Sequence, residues 1–133
     1  MRRAPGLGLR TLLPGLSRRP VDDLVAALTT AQHAALLELF GRMRSGAGFT
    51  NDIRHMTAPR HLNTLAEHAA RLRQPTLVIA ARDDGAVPYA QAESLASTIP
   101  DARLIASTAP SHMIWLGDDY PAITAAITAF LAG

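Results

Sequence analysis

The sequence predicts an α/β protein in which an N-terminal helical region precedes a β-α-β-α unit with a short parallel sheet. Three observations predict it. The run Pro75-Thr-Leu-Val-Ile-Ala-Ala81 is continuously apolar and led by proline, the pattern of a strand covered on both faces. A helical stretch and a second short apolar run follow it, at the spacing of a crossover between parallel strands. Upstream of Pro75, apolar residues recur at helical intervals.

Taken in order, Val21, Leu24, Val25 and Leu28 mark a short amphipathic helix with Pro20 near its first turn. Thr29 followed by Gln32 has the spacing of a capping box. The helix it opens carries Leu36, Leu39, Phe40 and Met43 on one face, and Ser45-Gly-Ala-Gly48 breaks it. A third helix, over about residues 60–72, has Leu62, Leu65, Ala66 and Ala69 as its stripe. After the first strand, Ala92, Leu95, Ala96 and Ile99 give helical periodicity, ended by Pro100-Asp101. Residues 102–106 form the second strand, where Arg103 suggests an edge position. In the last helix, Asp118 or Asp119 is expected to cap, Pro121 fits the first turn, and Ile123, Ala126, Ile127, Phe130 and Leu131 face inward.

Composition excludes several classes. Of the 133 residues, 48% are apolar and 18% charged, which suits a packed domain rather than a disordered chain. No apolar run reaches the roughly 18 residues that a membrane span needs, so no membrane partner is expected. Cysteine is absent, which removes disulfides, thiolate metal sites and thiol nucleophiles. The pI of 9.9 hints at nucleic acid, but every basic residue is arginine. Arg2, Arg3, Arg10, Arg18 and Arg19 all precede Pro20, and beyond it acids outnumber bases. A basic face for phosphates is therefore not expected, nor is a nucleic-acid partner. Residues 1–19 read as a flexible Arg-rich leader, because Arg10 interrupts any secretory apolar core. A cytoplasmic location is the expectation.

The chemistry gathers in the second half. Ligands of parallel α/β sheets bind beyond the carboxyl ends of the strands. The first strand runs into Arg82-Asp83-Asp84-Gly-Ala-Val-Pro88 and the second into Ser107-Thr-Ala-Pro-Ser-His112. Neighbouring parallel strands bring these loops together, so a carboxylate can hold one imidazole nitrogen protonated while the other accepts a proton. Alone, a loop Asp pair is ordinary turn chemistry and a loop His is ordinary surface. Their joint placement at successive strand ends is what counts. His33, His55, His61 and His68 show no ligand spacing, and Trp115 reads as core or pocket wall.

The stretch from Gln74 to Gly117, with its strand, acid loop ending in Val-Pro, helix, strand and His loop, resembles the C-terminal part of α/β-hydrolases. The resemblance covers residues 74–133. It implies that Asp84, four residues before Pro88, is the catalytic acid and His112 the catalytic base, with Asp83 fixing the loop, for instance by pairing with Arg82. Residues 20–73 resemble the helical lid of such enzymes, and the segment 46–52 looks like lid sequence of one bacterial subgroup. Ala81, and Ser111 before the histidine, stand where relatives commonly have glycine; both are small. A partial α/β-hydrolase fold is thus the expected fold class, in one domain overall.

No G-x-S-x-G turn accompanies the pair. Ser17, Ser45, Ser94, Ser97, Ser107 and Ser111 all lie outside a strand–turn–helix context. The resemblance is to the back half of an enzyme, so the chain alone is expected to be inactive. Completed by the missing half, it would hydrolyse an ester, amide, lactone or carbon–halogen bond of a small molecule, with a Ser, Asp or Cys nucleophile from elsewhere and no cofactor. Two alternatives stand beside this. One is a non-catalytic remnant that self-associates through an open sheet edge. The other is a receiver-like module binding magnesium through Asp83 and Asp84.

Overall fold

The computed structural model describes residues 9–10, 13–43, 48, 51 and 59–133, without the side chains of residues 59–63. Ser45, Gly46 and Ala47 of the expected break, the segment 46–52 (apart from Gly48 and Asn51) and His55 lie outside these residues, as do the side chains of His61 and Leu62. The elements are α1 (Val21–Ala27), α2 (Thr30–Arg42), α3 (Pro59–Ala70), β1 (Thr76–Ala81), α4 (Tyr89–Thr98), β2 (Ala102–Ser107), a 3₁₀ turn (Ile114–Leu116) and α5 (Tyr120–Ala132). This is a mixed α/β arrangement consistent with a partial α/β-hydrolase fold. No single helix among the described residues is long and apolar enough to cross a membrane.

Local chemistry sets the helix starts. Pro20 occupies the N-cap of α1, and Asp22 and Asp23 in the first turn face the positive end of the helix dipole. At α2 the capping box forms in full: Thr29 Oγ1 accepts the Gln32 N–H at 3.2 Å, and Gln32 Oε1 accepts the Thr29 N–H at 2.9 Å.

The two strands pair in parallel, with Thr76 opposite Ala102 and Ala81 opposite Ser107. Helix α4, the crossover, packs on both strands, α3 packs on α4, and α5 packs on β2 and the 3₁₀ turn. Cover on both faces of β1 was the expectation from its apolar run; the structure buries only Val78 and Ala81, leaving Leu77 and Ile79 half-buried. The reason is the size of the sheet: β1 has one hydrogen-bonded neighbour, and its other edge is unpaired among the described residues.

The main core lies elsewhere. Leu9, Leu13, Leu24, Leu36, Met113 and Leu116 form one buried cluster, with Leu16, Val21, Val25, Leu28, Leu37 and Phe40 packed around it. It joins the helical region to the segment after His112. The described part of residues 1–19 is therefore built into the protein, contrary to a flexible leader: Leu9 and Leu13 are fully buried, each worth roughly 1.5–3 kcal/mol of burial.

Helical stripes are wider than the surfaces that cover them. On α2, Leu36 is buried while Leu39 and Met43 are exposed. On α3, Ala69 is buried and Leu65 exposed; on α5, Ile123 is buried while Leu131 is 77% exposed. Trp115 is also exposed, so it is not core.

Candidate active site

The pair predicted from the strand ends comes together. His112 Nδ1 lies 2.7 Å from Asp84 Oδ2. The other carboxylate oxygen, Oδ1, accepts the N–H groups of Ala86 at 2.7 Å and Val87 at 2.9 Å, an Asx turn that fixes the acid's rotamer. Both carboxylate oxygens of Asp84 are thus engaged, and its side chain is 8% exposed against 48% for His112. A carboxylate is an acceptor only, so Nδ1 carries the proton, and in the neutral ring Nε2 presents a lone pair. Among the described residues nothing hydrogen-bonds Nε2. A cleft of about 390 Å³ beside the pair is lined by Val78, Ala81, Val87, Leu95 and Ile114 together with Asp84 and His112.

Asp83 is held differently from the expectation. Its carboxylate pairs with Arg19, Nε to Oδ2 at 2.6 Å, and not with Arg82. The Arg82 guanidinium instead sits 4.4 Å from the centroid of the Tyr89 ring. Asp83 and Asp84 thus serve different partners, and among the described residues no group of three or more His, Cys, Asp or Glu side chains is placed to hold a metal ion.

Among the described residues no serine hydrogen-bonds the imidazole, whose partner is Asp84. Ser17 Oγ donates to the Pro110 carbonyl at 2.5 Å and accepts the Arg19 N–H at 3.0 Å. Ser107 Oγ donates to Asp119 and accepts the Ala109 N–H; Ser111 Oγ accepts the Met113 N–H. Ser97 bonds the Ser94 carbonyl on the exposed side of α4. Ser45 lies outside the described residues.

Sequence reasoning missed three supports of the pair. The first is the segment before α1: His112 N–H donates to the Leu16 carbonyl at 2.6 Å, and Arg18 N–H to the Asp83 carbonyl at 2.9 Å. The second is Gly85, where a Cβ would lie 2.7 Å from the backbone C, N and O of Ser17. Gly85 is required there for close approach, not for a left-handed conformation, since the only positive-φ glycine described is Gly133. Asp-Asp-Gly reads locally as an ordinary turn, which hides the contact.

The third is Asp119. It stands at the N-cap of α5 yet makes no side-chain cap. Its carboxylate reaches back to the start of the His loop, accepting the Thr108 N–H at 2.7 Å and the Ser107 hydroxyl at 3.1 Å. The Thr108 backbone N–H, opposed by burial and helped by the Thr108 and Ser107 hydroxyls, holds the carboxyl below its ordinary value of 3.8. A lowered folded value means the stabilisation is complete above the unfolded pKa and is lost as pH falls through the folded one. Asp119→Ala is expected to lower stability by about 1 kcal/mol at neutral pH, an effect that shrinks as the pH falls through the lowered folded value. Thermal melts of both proteins across pH check this.

Comparison with known proteins identifies the family. The family model described as TAP-like protein matches residues 53–133, more than half of the chain. The RutD protein of Pseudomonas savastanoi pv. phaseolicola (strain 1448A / Race 6), assigned as a carbamate hydrolase, is 42% identical over 52 residues, which cover 39% of this chain and 20% of that relative. The chain thus matches about a fifth of the length of that curated relative. With a strand–helix–strand unit, an acid loop and a histidine loop in family order, and a family match over most of that length, the chain belongs to the TAP-like family of α/β-hydrolases.

Proposed function

We propose that this chain supplies the acid and base of a hydrolytic triad, with Asp84 orienting His112 and His112 Nε2 accepting the proton of a nucleophile carried outside the described residues. The observation that carries this reading is the 2.7 Å bond from Nδ1 to a carboxylate whose other oxygen is already fixed by two backbone N–H groups. The imidazole is thereby held in one tautomer while Nε2 stays open for proton transfer. Asp84 stabilises the imidazolium that forms, and the proton is then returned to the leaving group. The bond cleaved is an ester, amide, carbamate or lactone bond of a small molecule, or a carbon–halogen bond. In the last case the nucleophile is a carboxylate, halide leaves unprotonated, and His112 takes its proton from the water that hydrolyses the resulting ester. The apolar lining beside the pair suits an uncharged substituent. The carbamate option comes from RutD. Moving a proton this way calls for no cofactor.

The test is a gain of function. The chain alone is expected to show no labelling by a serine-directed fluorophosphonate. A fusion that places the nucleophile-bearing half of a TAP-like relative ahead of Met1 is expected to label and to turn over p-nitrophenyl esters, and to lose both with His112→Ala. A folded, monomeric fusion that labels equally with and without His112 would contradict the reading.

A second reading, self-association, draws on the unpaired edge of β1 and the half-buried Leu77 and Ile79. Each uncovered large apolar side chain forfeits part of the roughly 1.5–3 kcal/mol its burial provides. The isolated chain is therefore expected to be oligomeric or marginally stable, read by analytical ultracentrifugation with thermal melting. A monodisperse monomer with a sharp, high-temperature transition would show that the helical region closes the core unaided.

A further inference from the structure

We propose that residues 16–19 form a clamp that sets the separation of the acid loop and the histidine loop, with Ser17 as its positioning residue. This rests on reading Asp84 and His112 as acid and base, and concerns what holds them at bonding distance.

The sheet cannot do so by itself. Strand pairing ends at Ala81 opposite Ser107, whereas Asp84 and His112 lie three and five residues further on. Beyond the last pair, strand hydrogen bonds no longer set the distance between the two loops. The segment before α1 spans the gap. On one side, the Leu16 carbonyl accepts the His112 N–H at 2.6 Å, and Ser17 Oγ donates to the Pro110 carbonyl at 2.5 Å. On the other, Ser17 stands opposite Asp84 in an isolated antiparallel bridge closed by the Arg18 N–H, which donates to the Asp83 carbonyl at 2.9 Å, and Arg19 pairs with the Asp83 carboxylate.

Ser17 touches both loops: its hydroxyl holds the histidine loop, and its backbone packs against Gly85 of the acid loop. It is 8% exposed, and its hydroxyl also accepts the Arg19 N–H, which locks the turn between the two grips. The missing side chain at Gly85 lets this backbone sit directly on the acid loop. Leu13 and Leu16 tie the clamp to the main core, so its position is inherited from the packing of the helical region. An acid–base pair has to be held within about 0.5 Å of its productive geometry.

The test reads the Asp84–His112 bond itself, in the full chain, by NMR of the His112 Nδ1 proton and of the imidazole titration. Ser17→Ala is expected to speed solvent exchange of that proton by roughly tenfold, the scale of one lost hydrogen bond, and to shift the titration. Ser17→Thr, which keeps the hydroxyl, should restore both. Arg19→Gln, which loosens only the exposed ion pair, should move both in the same direction by less. Thermal melting reports separately on folding. A folded Ser17→Ala protein with wild-type exchange and titration would overturn the clamp while leaving the acid–base reading intact. If Ser17→Ala does not fold, unchanged exchange in Arg19→Gln overturns it. A wild-type protein with no bonded Nδ1 proton would instead sink the acid–base reading, and the clamp with it.

Discussion

Replacing Leu36 by alanine is expected to destabilise the protein by about 2–5 kcal/mol, which for a chain of this length lowers the melting temperature by roughly 3–4 °C per kcal/mol. Leu36 is 1% exposed and belongs to the cluster that includes Leu9, Leu13, Leu24, Met113 and Leu116. Those neighbours come from three separate stretches of chain, so no single element can move to fill the space left behind. The cost therefore falls toward the cavity-limited end of the range. Met113 directly follows His112, and the cavity would open beneath the histidine loop, loosening the imidazole along with the fold. Leu131→Ala is the control. It removes the same atoms from a side chain that is 77% exposed, and should change the melting temperature little.

Asp84→Asn is expected to reduce turnover of the completed enzyme by about four orders of magnitude, the scale seen when a triad carboxylate becomes an amide. The substitution is nearly isosteric, and the amide oxygen can still accept the Ala86 and Val87 N–H groups that shape the loop. What changes is the group facing the imidazole. An amide NH₂ in place of Oδ2 is a donor, and two donors cannot share one hydrogen bond. The imidazole then moves its proton to Nε2, the nitrogen that must accept one. Kinetics of the fusion enzyme with and without the substitution measure this, and thermal melting separates it from misfolding.

What the sequence revealed and what it hid follow from the range of the interactions. The strand at Pro75-Thr-Leu-Val-Ile-Ala-Ala81, the Thr29–Gln32 capping box and the strand–helix–strand order are written in neighbouring residues, and they appear as expected. The meeting of Asp84 with His112 was also legible, because parallel pairing of successive strands puts both loops at one sheet end. The supports of the pair were not. Arg19 and Asp83 are 64 positions apart and Ser17 and Pro110 are 93 apart, separations at which no local pattern marks a partner. A composition rich in arginine and glycine made residues 1–19 look detached, although Leu9, Leu13 and Leu16 carry the apolar spacing that packs them. Asp119 was read as a helix cap on position alone, and its carboxylate turns to Thr108 and Ser107 instead. Helical periodicity gave the facing of α2, α3 and α5 but not how much of each face would find cover.

The most direct test of the account is the tautomer of His112, read from ¹⁵N imidazole shifts at about pH 8.5, above the ordinary histidine range. The expected result is a single tautomer, with Nδ1 protonated and Nε2 unprotonated, that reverses in Asp84→Asn. An Nε2-protonated or mixed tautomer in the unmodified protein, unmoved by Asp84→Asn, would show that Asp84 does not orient His112 and would contradict the acid–base reading.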